Sequence, residues 1–229
     1  MNGSAYFLLV LPFGLIFSTT IVFTFLSKRL GKDASYLLGF IFYWIIWCVV
    51  VPLLYLGKDG FLSLFVDETP LLSRPNWLAA VLWAFITLVS LIMYGKSFIQ
   101  APLTLILIAI PMATINGVCE ELLWRGLYVR AFPDNFWLAI LFPAIGFALW
   151  HLVPLQIFSD GNKFQFILST FFLGLAYGFI AYKTGSAKWT AISHSFNGIL
   201  ALSGYLAPSI VTLFQKESLP GQTKEYERH

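Results

Sequence analysis

The chain has 229 residues, of which 59% are hydrophobic, 18% are aromatic and only 11% are charged. Soluble domains usually contain about 45–50% apolar and 25% charged residues, so this composition excludes an ordinary soluble protein and predicts a multi-span membrane protein. The formal net charge of +3 is small and its basic residues are scattered, which excludes a nucleic-acid partner.

Apolar runs of about 20 residues, the length of a membrane-spanning helix, recur along the chain. They predict seven spans, at about 5–26, 35–56, 77–94, 102–132, 136–158, 164–182 and from 189 through 204. Residues 61–76 and the short run 209–214 are predicted to be interfacial or loop segments, and an eighth span follows if either crosses the bilayer. The predicted fold class is an all-α, polytopic transmembrane helix bundle.

The domain organisation follows from the same pattern. A single membrane domain is predicted over residues 1–229, with a polar tail over 215–229. Membrane lipid is therefore a predicted partner. The membrane is predicted to be a plasma membrane or one of the endoplasmic-reticulum type, depending on the source, and the pattern gives no oligomeric state.

Ionisable side chains are almost excluded from the apolar runs. Of the 11 acidic residues, only Glu120 and Glu121 lie inside one. Two histidines, His151 and His194, also lie inside apolar runs, whereas His229 is the last residue. A charged group at bilayer depth costs about 2.5–3.5 kcal/mol on insertion scales and usually marks function. The chemistry is therefore predicted at these two acids and two histidines.

Helical geometry separates the two acids. Residues four apart share a helix face, so Glu121 should pair with Arg125, while Glu120 points about 100° away with Asn116 one turn before it. Glu121 and Arg125 would then neutralise each other, leaving Glu120 as a desolvated carboxylate suited to general-base catalysis. A purely structural ion network is the alternative. Cys119 faces neither acid and is a weaker candidate for a nucleophile.

Two chemistries fit these residues. In the first, Glu120 and His151 activate a water molecule, while His194 and Asn197, three apart on one face, stabilise the oxyanion that forms. In the second, Glu120 and the two histidines bind Zn²⁺. The metal-free reaction is favoured, because asparagine is a good oxyanion donor and a poor zinc ligand. No cofactor is therefore predicted, with zinc as the less favoured alternative.

Three motifs carry a resemblance to a known family. EELLWR at 120–125 matches the pattern EExxxR, and FALWH at 147–151 matches FxxxH. The segment GLAYGFIAYKTGS at 174–186 leads into the third motif at His194. On these motifs the chain resembles the CAAX protease and bacteriocin-processing family of glutamic intramembrane endopeptidases, which includes the Ras-converting enzyme.

The third motif departs from the family pattern. That pattern has an asparagine or aspartate four residues after the histidine, but here position 198 is glycine and the asparagine is Asn197. The resemblance covers about residues 100–204 and implies that these are the catalytic core helices, whereas the first three spans carry no motif of their own.

The resemblance implies hydrolysis of a peptide bond near the C-terminus of a prenylated or membrane-associated substrate by glutamate-activated water, without a metal. It implies catalytic roles for Glu120, His151, His194 and Asn197, and supporting roles for Glu121 and Arg125. The alternatives are a non-proteolytic membrane immunity or scaffold protein and a zinc-dependent version of the same protease.

Overall fold

The computed structural model describes residues 3–157 and 162–205, and its regular elements over these residues are helices without any strand. The α-helices are α1 (Gly3–Leu30), α2 (Lys32–Phe42), α3 (Val51–Leu62), α4 (Trp77–Gln100), α5 (Leu103–Glu121), α6 (Tyr128–Ala131), α7 (Phe142–Trp150), α8 (Lys163–Thr184) and α9 (Lys188–Tyr205). π-helical stretches lie at Tyr43–Val50, Leu122–Leu127 and Trp137–Leu141. The prediction of an all-α fold is confirmed.

Among the described residues, six helical segments are long and apolar enough to cross a membrane. They are Ala5–Leu30, Lys32–Phe65, Arg74–Gln100, Leu103–Ala131, Trp137–Gln156 and Lys163–Thr184. The seventh predicted span forms as α9 but is not one of the six, because its sequence includes the polar run from Ser193 to Asn197. The bundle is therefore polytopic, as predicted. Segments 209–214 and 215–229 lie outside the described residues.

Large apolar side chains cover the outside of the bundle. Phe13 and Phe17 on α1 expose 66% and 70% of their surface, and Phe85 on α4 exposes 60%. The interior also contains large aromatic residues, such as the stacked rings of Tyr43 and Trp150, whose centroids are 4.0 Å apart. Exposing apolar surface to water costs roughly 25 cal/mol per Å². This surface therefore suits hydrocarbon surroundings, and the chain is a multi-pass membrane protein.

The fifth span, predicted at 136 to about 158, is present as Trp137–Gln156 and is interrupted before Pro154. Its helix α7 ends at Trp150, and His151 caps it. Proline has no N–H for the carbonyl of Trp150, and its ring would clash with that carbonyl in a continuing helix. A short 3₁₀ turn, Pro154–Gln156, follows instead. Residue 158 lies outside the described residues.

The segment between α3 and α4, residues 63–76, was predicted within an interfacial or loop region, 61–76. It consists of two 3₁₀ turns, Ser63–Phe65 and Arg74–Asn76, joined by irregular backbone, and we call it the rim loop. It packs against the turn between α8 and α9. The N–H of Glu68 donates to the carbonyl of Thr184 at 2.9 Å, and the N–H of Ala187 donates to that of Leu64 at 2.8 Å. These bonds fix the rim loop to the start of α9.

Two glycines four residues apart, Gly174 and Gly178, let α8 approach the fifth span closely. A Cβ on Gly174 would lie 3.2 Å from the Cβ of Ala144, and one on Gly178 would lie 2.8 Å from Cγ2 of Ile140. This packing brings the segment that precedes the third motif against the helix that carries the second.

The first and third motifs also meet through a glycine. A Cβ on Gly117 of α5 would lie 2.7 Å from the backbone nitrogen of Ser195 on α9. The two backbones are therefore in contact one turn before the acids and one residue after His194.

Candidate active site

Both acids of the first motif are buried at the end of α5. The exposed fractions of the Glu120 and Glu121 side chains are 1% and 0%. Oε1 of Glu121 lies 3.0 Å from Nη1 of Arg125, which is also buried. The predicted ion pair between Glu121 and Arg125 is therefore present, although the helix changes to a π-helical stretch immediately after Glu121.

Glu120 faces Asn116, as the helical spacing predicted. The side-chain amide of Asn116 donates to Oε2 of Glu120 at 3.2 Å. The indole N–H of Trp44 donates in turn to Oδ1 of Asn116 at 2.9 Å. Oε1 of Glu120 is buried and has no hydrogen-bond partner within the described part of the chain. One carboxylate oxygen is therefore held by protein groups, and the other has no protein partner among the described residues.

His194 lies between the two carboxylates. Its Nδ1 is 2.9 Å from Oε1 of Glu121, and its Nε2 is 3.5 Å from Oε2 of Glu120. The sequence predicted Arg125 as the partner of Glu121, but Glu121 has His194 as a second partner. The structure therefore brings together four of the six predicted site residues: Glu120, Glu121, Arg125 and His194. We call this group the acid–histidine cluster.

Asn197 faces α8. Its Nδ2 donates to the hydroxyl of Tyr177 at 2.8 Å, and that hydroxyl donates to Oγ of Ser193 at 3.2 Å. Oδ1 of Asn197 is buried and lacks a hydrogen-bond partner among the described residues. The rings of Tyr177 and His194 have centroids 5.8 Å apart. Asn197 is therefore hydrogen-bonded to a tyrosine whose ring lies next to that of His194.

Position 198, where the family pattern has a polar residue, faces α5. A Cβ on Gly198 would lie 3.0 Å from the Cβ of Ala113. A longer side chain there would collide with α5. The shift of the asparagine to position 197 therefore agrees with the packing of α9 in this chain.

His151 lies at the C-terminal end of α7, apart from the acids. Its Nδ1 donates to the carbonyl of Phe147 at 2.7 Å, which leaves Nε2 as the acceptor. The Phe147 ring centroid is 4.6 Å from that of His151 and 6.3 Å from that of His194. The same ring lies 4.2 Å from the guanidinium carbon of Arg125. Both histidines therefore pack against one aromatic ring, and no described hydrogen bond joins His151 to Glu120.

The zinc alternative requires three ligands at one point. In the ranges 3–157 and 162–205, no three His, Cys, Asp or Glu side chains are grouped closely enough to hold a metal ion. Both ring nitrogens of His194 face carboxylates, and Nδ1 of His151 bonds its own helix. As placed, Glu120, His151 and His194 do not fit a zinc site. The absence of a cofactor remains a prediction.

Two neighbours of the site were not predicted as functional. Trp44 lies in the second span, which carries no motif, and nothing in the sequence distinguishes it from the other tryptophans. Tyr177 lies between Gly174 and Gly178 in the segment that resembles the family, and a tyrosine buried in an apolar run could have been noticed as a hydrogen-bonding group.

Residues 101–200 match the family model of the Type II CAAX prenyl endopeptidase Rce1-like proteins. Neither a curated protein nor a solved structure matches the chain. All six predicted site residues fall inside the matched range, whereas Trp44 lies outside it.

Proposed function

Since the match over residues 101–200 supports membership of the CAAX protease family, we propose that the chain is an intramembrane endopeptidase with a glutamate-activated water. Its substrate would be a prenylated or otherwise membrane-associated peptide or protein, cleaved near its C-terminus. The enzyme would work in a plasma membrane or an endoplasmic-reticulum-type membrane, depending on the source of the chain.

The observation that carries this proposal is the acid–histidine cluster. Buried charges are costly unless they are paired, so an apolar chain retains such a group chiefly for function. In this cluster Arg125 balances the charge of Glu121, and the two ring nitrogens of His194 face the two carboxylates. Such a cluster is tolerated inside a membrane protein and still holds a carboxylate that can accept a proton.

The reaction needs a base and a donor for the oxyanion. Oε1 of Glu120, which is buried and unpartnered, takes a proton from water as the water oxygen bonds to the peptide carbonyl carbon. Nε2–H of His194 donates to the oxygen that becomes negative. When the C–N bond breaks, Glu120 returns the proton to the leaving nitrogen.

The remaining groups support these two. Glu121 accepts from Nδ1–H of His194 at 2.9 Å and so fixes the ring, while Arg125 balances the charge of Glu121. His151 would assist Glu120 by accepting from the attacking water at Nε2. Asn197 would donate to the oxyanion with the amide N–H that is not bonded to Tyr177.

A substitution at Glu120 tests the proposal. Purified protein in detergent would be assayed with a quenched fluorescent farnesylated peptide and with the same peptide unprenylated. Glu120→Gln keeps the shape of the side chain but removes the base, so kcat should fall at least about 10³-fold. Asp33→Asn, at the exposed start of α2, is the control and should match the wild type.

Equal turnover by Glu120→Gln and the wild type would remove Glu120 from the mechanism. A folded wild type that cleaves none of these peptides would favour the non-proteolytic immunity or scaffold alternative. Zinc is tested separately. Activity that o-phenanthroline abolishes and Zn²⁺ restores would contradict the metal-free reaction.

A further inference from the structure

A chain of hydrogen bonds links the second span to the proposed base. Trp44, in the π-helical stretch Tyr43–Val50, donates its indole N–H to Oδ1 of Asn116 at 2.9 Å. Asn116 donates its amide N–H to Oε2 of Glu120 at 3.2 Å. The exposed fractions of Trp44 and Glu120 are 7% and 1%, so both ends of the chain are buried.

The donor at the start of this chain fixes its direction. A side-chain amide can in principle present either its oxygen or its NH₂ group to a neighbour. An indole N–H can only donate, so the oxygen of Asn116 must face Trp44. The NH₂ group is then turned towards Glu120, whose carboxylate can only accept when it is ionised. The bond from Trp44 therefore selects the amide orientation in which Asn116 donates to Glu120.

The hydrogen-bond chain also gives the two carboxylate oxygens of Glu120 different partners. Oε2 of Glu120 accepts from Asn116 and lies 3.5 Å from Nε2 of His194. Oε1 is buried and has no partner among the described residues. A carboxylate held at one oxygen cannot rotate freely, so the other oxygen keeps a constant direction.

We propose that Trp44 and Asn116 are positioning residues that hold Glu120 by Oε2, so that Oε1 receives the proton of the attacking water. This inference rests on the proposed function. It extends the site to the second span, which lies outside the matched range 101–200.

A hydrogen-bond chain with only a structural role would affect stability and kcat differently from a positioning one. If these bonds only joined the second span to α5, breaking them would lower stability and leave kcat of the folded protein unchanged. A positioning role predicts a fall in kcat with little change in KM. It also predicts non-additive effects, because Trp44 acts on Glu120 only through Asn116.

The experiment measures kcat and KM in detergent for Trp44→Phe, Asn116→Leu and the double variant, with thermal unfolding as the check on folding. Phenylalanine keeps an aromatic ring but cannot donate. We expect Asn116→Leu to lower kcat about tenfold, Trp44→Phe to lower it roughly three- to tenfold, and the double variant to match Asn116→Leu. KM should stay within about twofold of the wild type.

The control is Trp83→Phe on α4, a helix without a motif, which removes another indole N–H, donated to the carbonyl of Trp189 at 2.7 Å. It should leave kcat unchanged. The inference is overturned if Trp44→Phe and Asn116→Leu behave like Trp83→Phe, or if their effects multiply in the double variant. If Asn116→Leu does not fold, the split between kcat and KM in Trp44→Phe decides alone.

The outcome also separates this inference from the function on which it rests. An active wild type with unaffected Trp44 and Asn116 variants overturns only the positioning role. A folded wild type that cleaves neither the farnesylated nor the unmodified peptide overturns the proposed function, and the positioning role is then rejected with it.

Discussion

Two groups of ion pairs occupy opposite environments in this protein. In the acid–histidine cluster, the exposed fractions of the Glu121 and Arg125 side chains are 0% and 2%. At the rim loop, Glu68 pairs with Arg130, and their side chains are 59% and 40% exposed. The chemistry of the two carboxylate–guanidinium pairs is the same, and their surroundings differ.

The difference shows what each pair contributes. An exposed pair is solvated with or without its partner and adds little to stability. A buried pair costs desolvation energy, and apolar residues in its place are often as stable or more stable. The rim-loop pair therefore helps to fasten a loop, whereas the buried cluster has the character of a site kept for chemistry.

The largest effect on stability is expected from Arg125→Met. This change leaves the buried Glu121 without the guanidinium, with His194 as its remaining partner, and should lower the free energy of unfolding by about 3–5 kcal/mol. Thermal unfolding in detergent would measure the loss. The double variant Glu121→Gln/Arg125→Met carries neither charge and should recover most of the stability. A single variant as stable as the wild type would contradict the comparison of buried and exposed pairs.

Glu121→Gln tests the cluster through activity. A neutral amide accepts from Nδ1–H of His194 less strongly than a carboxylate does. His194, the proposed oxyanion donor, is therefore held less firmly in place. We expect kcat to fall about 10²-fold, with a much smaller change in KM. An undiminished kcat would show that His194 does not depend on Glu121.

Asp67→Asn examines an intermediate case, because the Asp67 side chain is 11% exposed. Its Oδ2 lies 2.6 Å from Nζ of Lys188 and accepts from the indole N–H of Trp189 at 2.9 Å. Weakening these bonds at the start of α9 should lower stability by about 1–2 kcal/mol. Chemical or thermal unfolding would measure this, and kcat below the transition should remain within about twofold. A 10²-fold loss of kcat would instead place the rim loop in the catalytic machinery.

Glu68→Gln should have the smallest effect. The ion pair with Arg130 is largely exposed, so its loss should change stability by less than about 0.5 kcal/mol. The difference should disappear in high salt, which screens exposed charges. Unfolding curves at low and high ionic strength would measure both expectations. A loss above about 1 kcal/mol that does not depend on salt is what we expect of a buried pair. Such a loss here would contradict the comparison of buried and exposed pairs.

The sequence predicted those features that depend on neighbours along the chain. Apolar run length gave the bundle, and four-residue spacing gave both the pairing of Glu121 with Arg125 and the face shared by Glu120 and Asn116. Each of these inferences needs only helical geometry.

The features that the sequence did not predict depend on tertiary contacts. His194 and Glu121 are 73 residues apart, and Trp44 and Asn116 are 72 apart, so only the packing of several helices brings each pair together. Hydropathy does not distinguish the π-helical stretches from ordinary α-helix. The missing N–H of Pro154 indicates that α7 ends before this residue, but the apolar run in the sequence continues past Pro154.

The contact between Gly117 and Ser195 has a mechanical consequence. Because the position of a Cβ on Gly117 lies 2.7 Å from a backbone nitrogen, α5 and α9 cannot slide along each other without driving a larger residue into that gap. The vertical register of the acids relative to His194 is thereby locked. Any rearrangement that keeps the acid–histidine cluster intact must therefore take place at other helices, with α5 and α9 moving as one body.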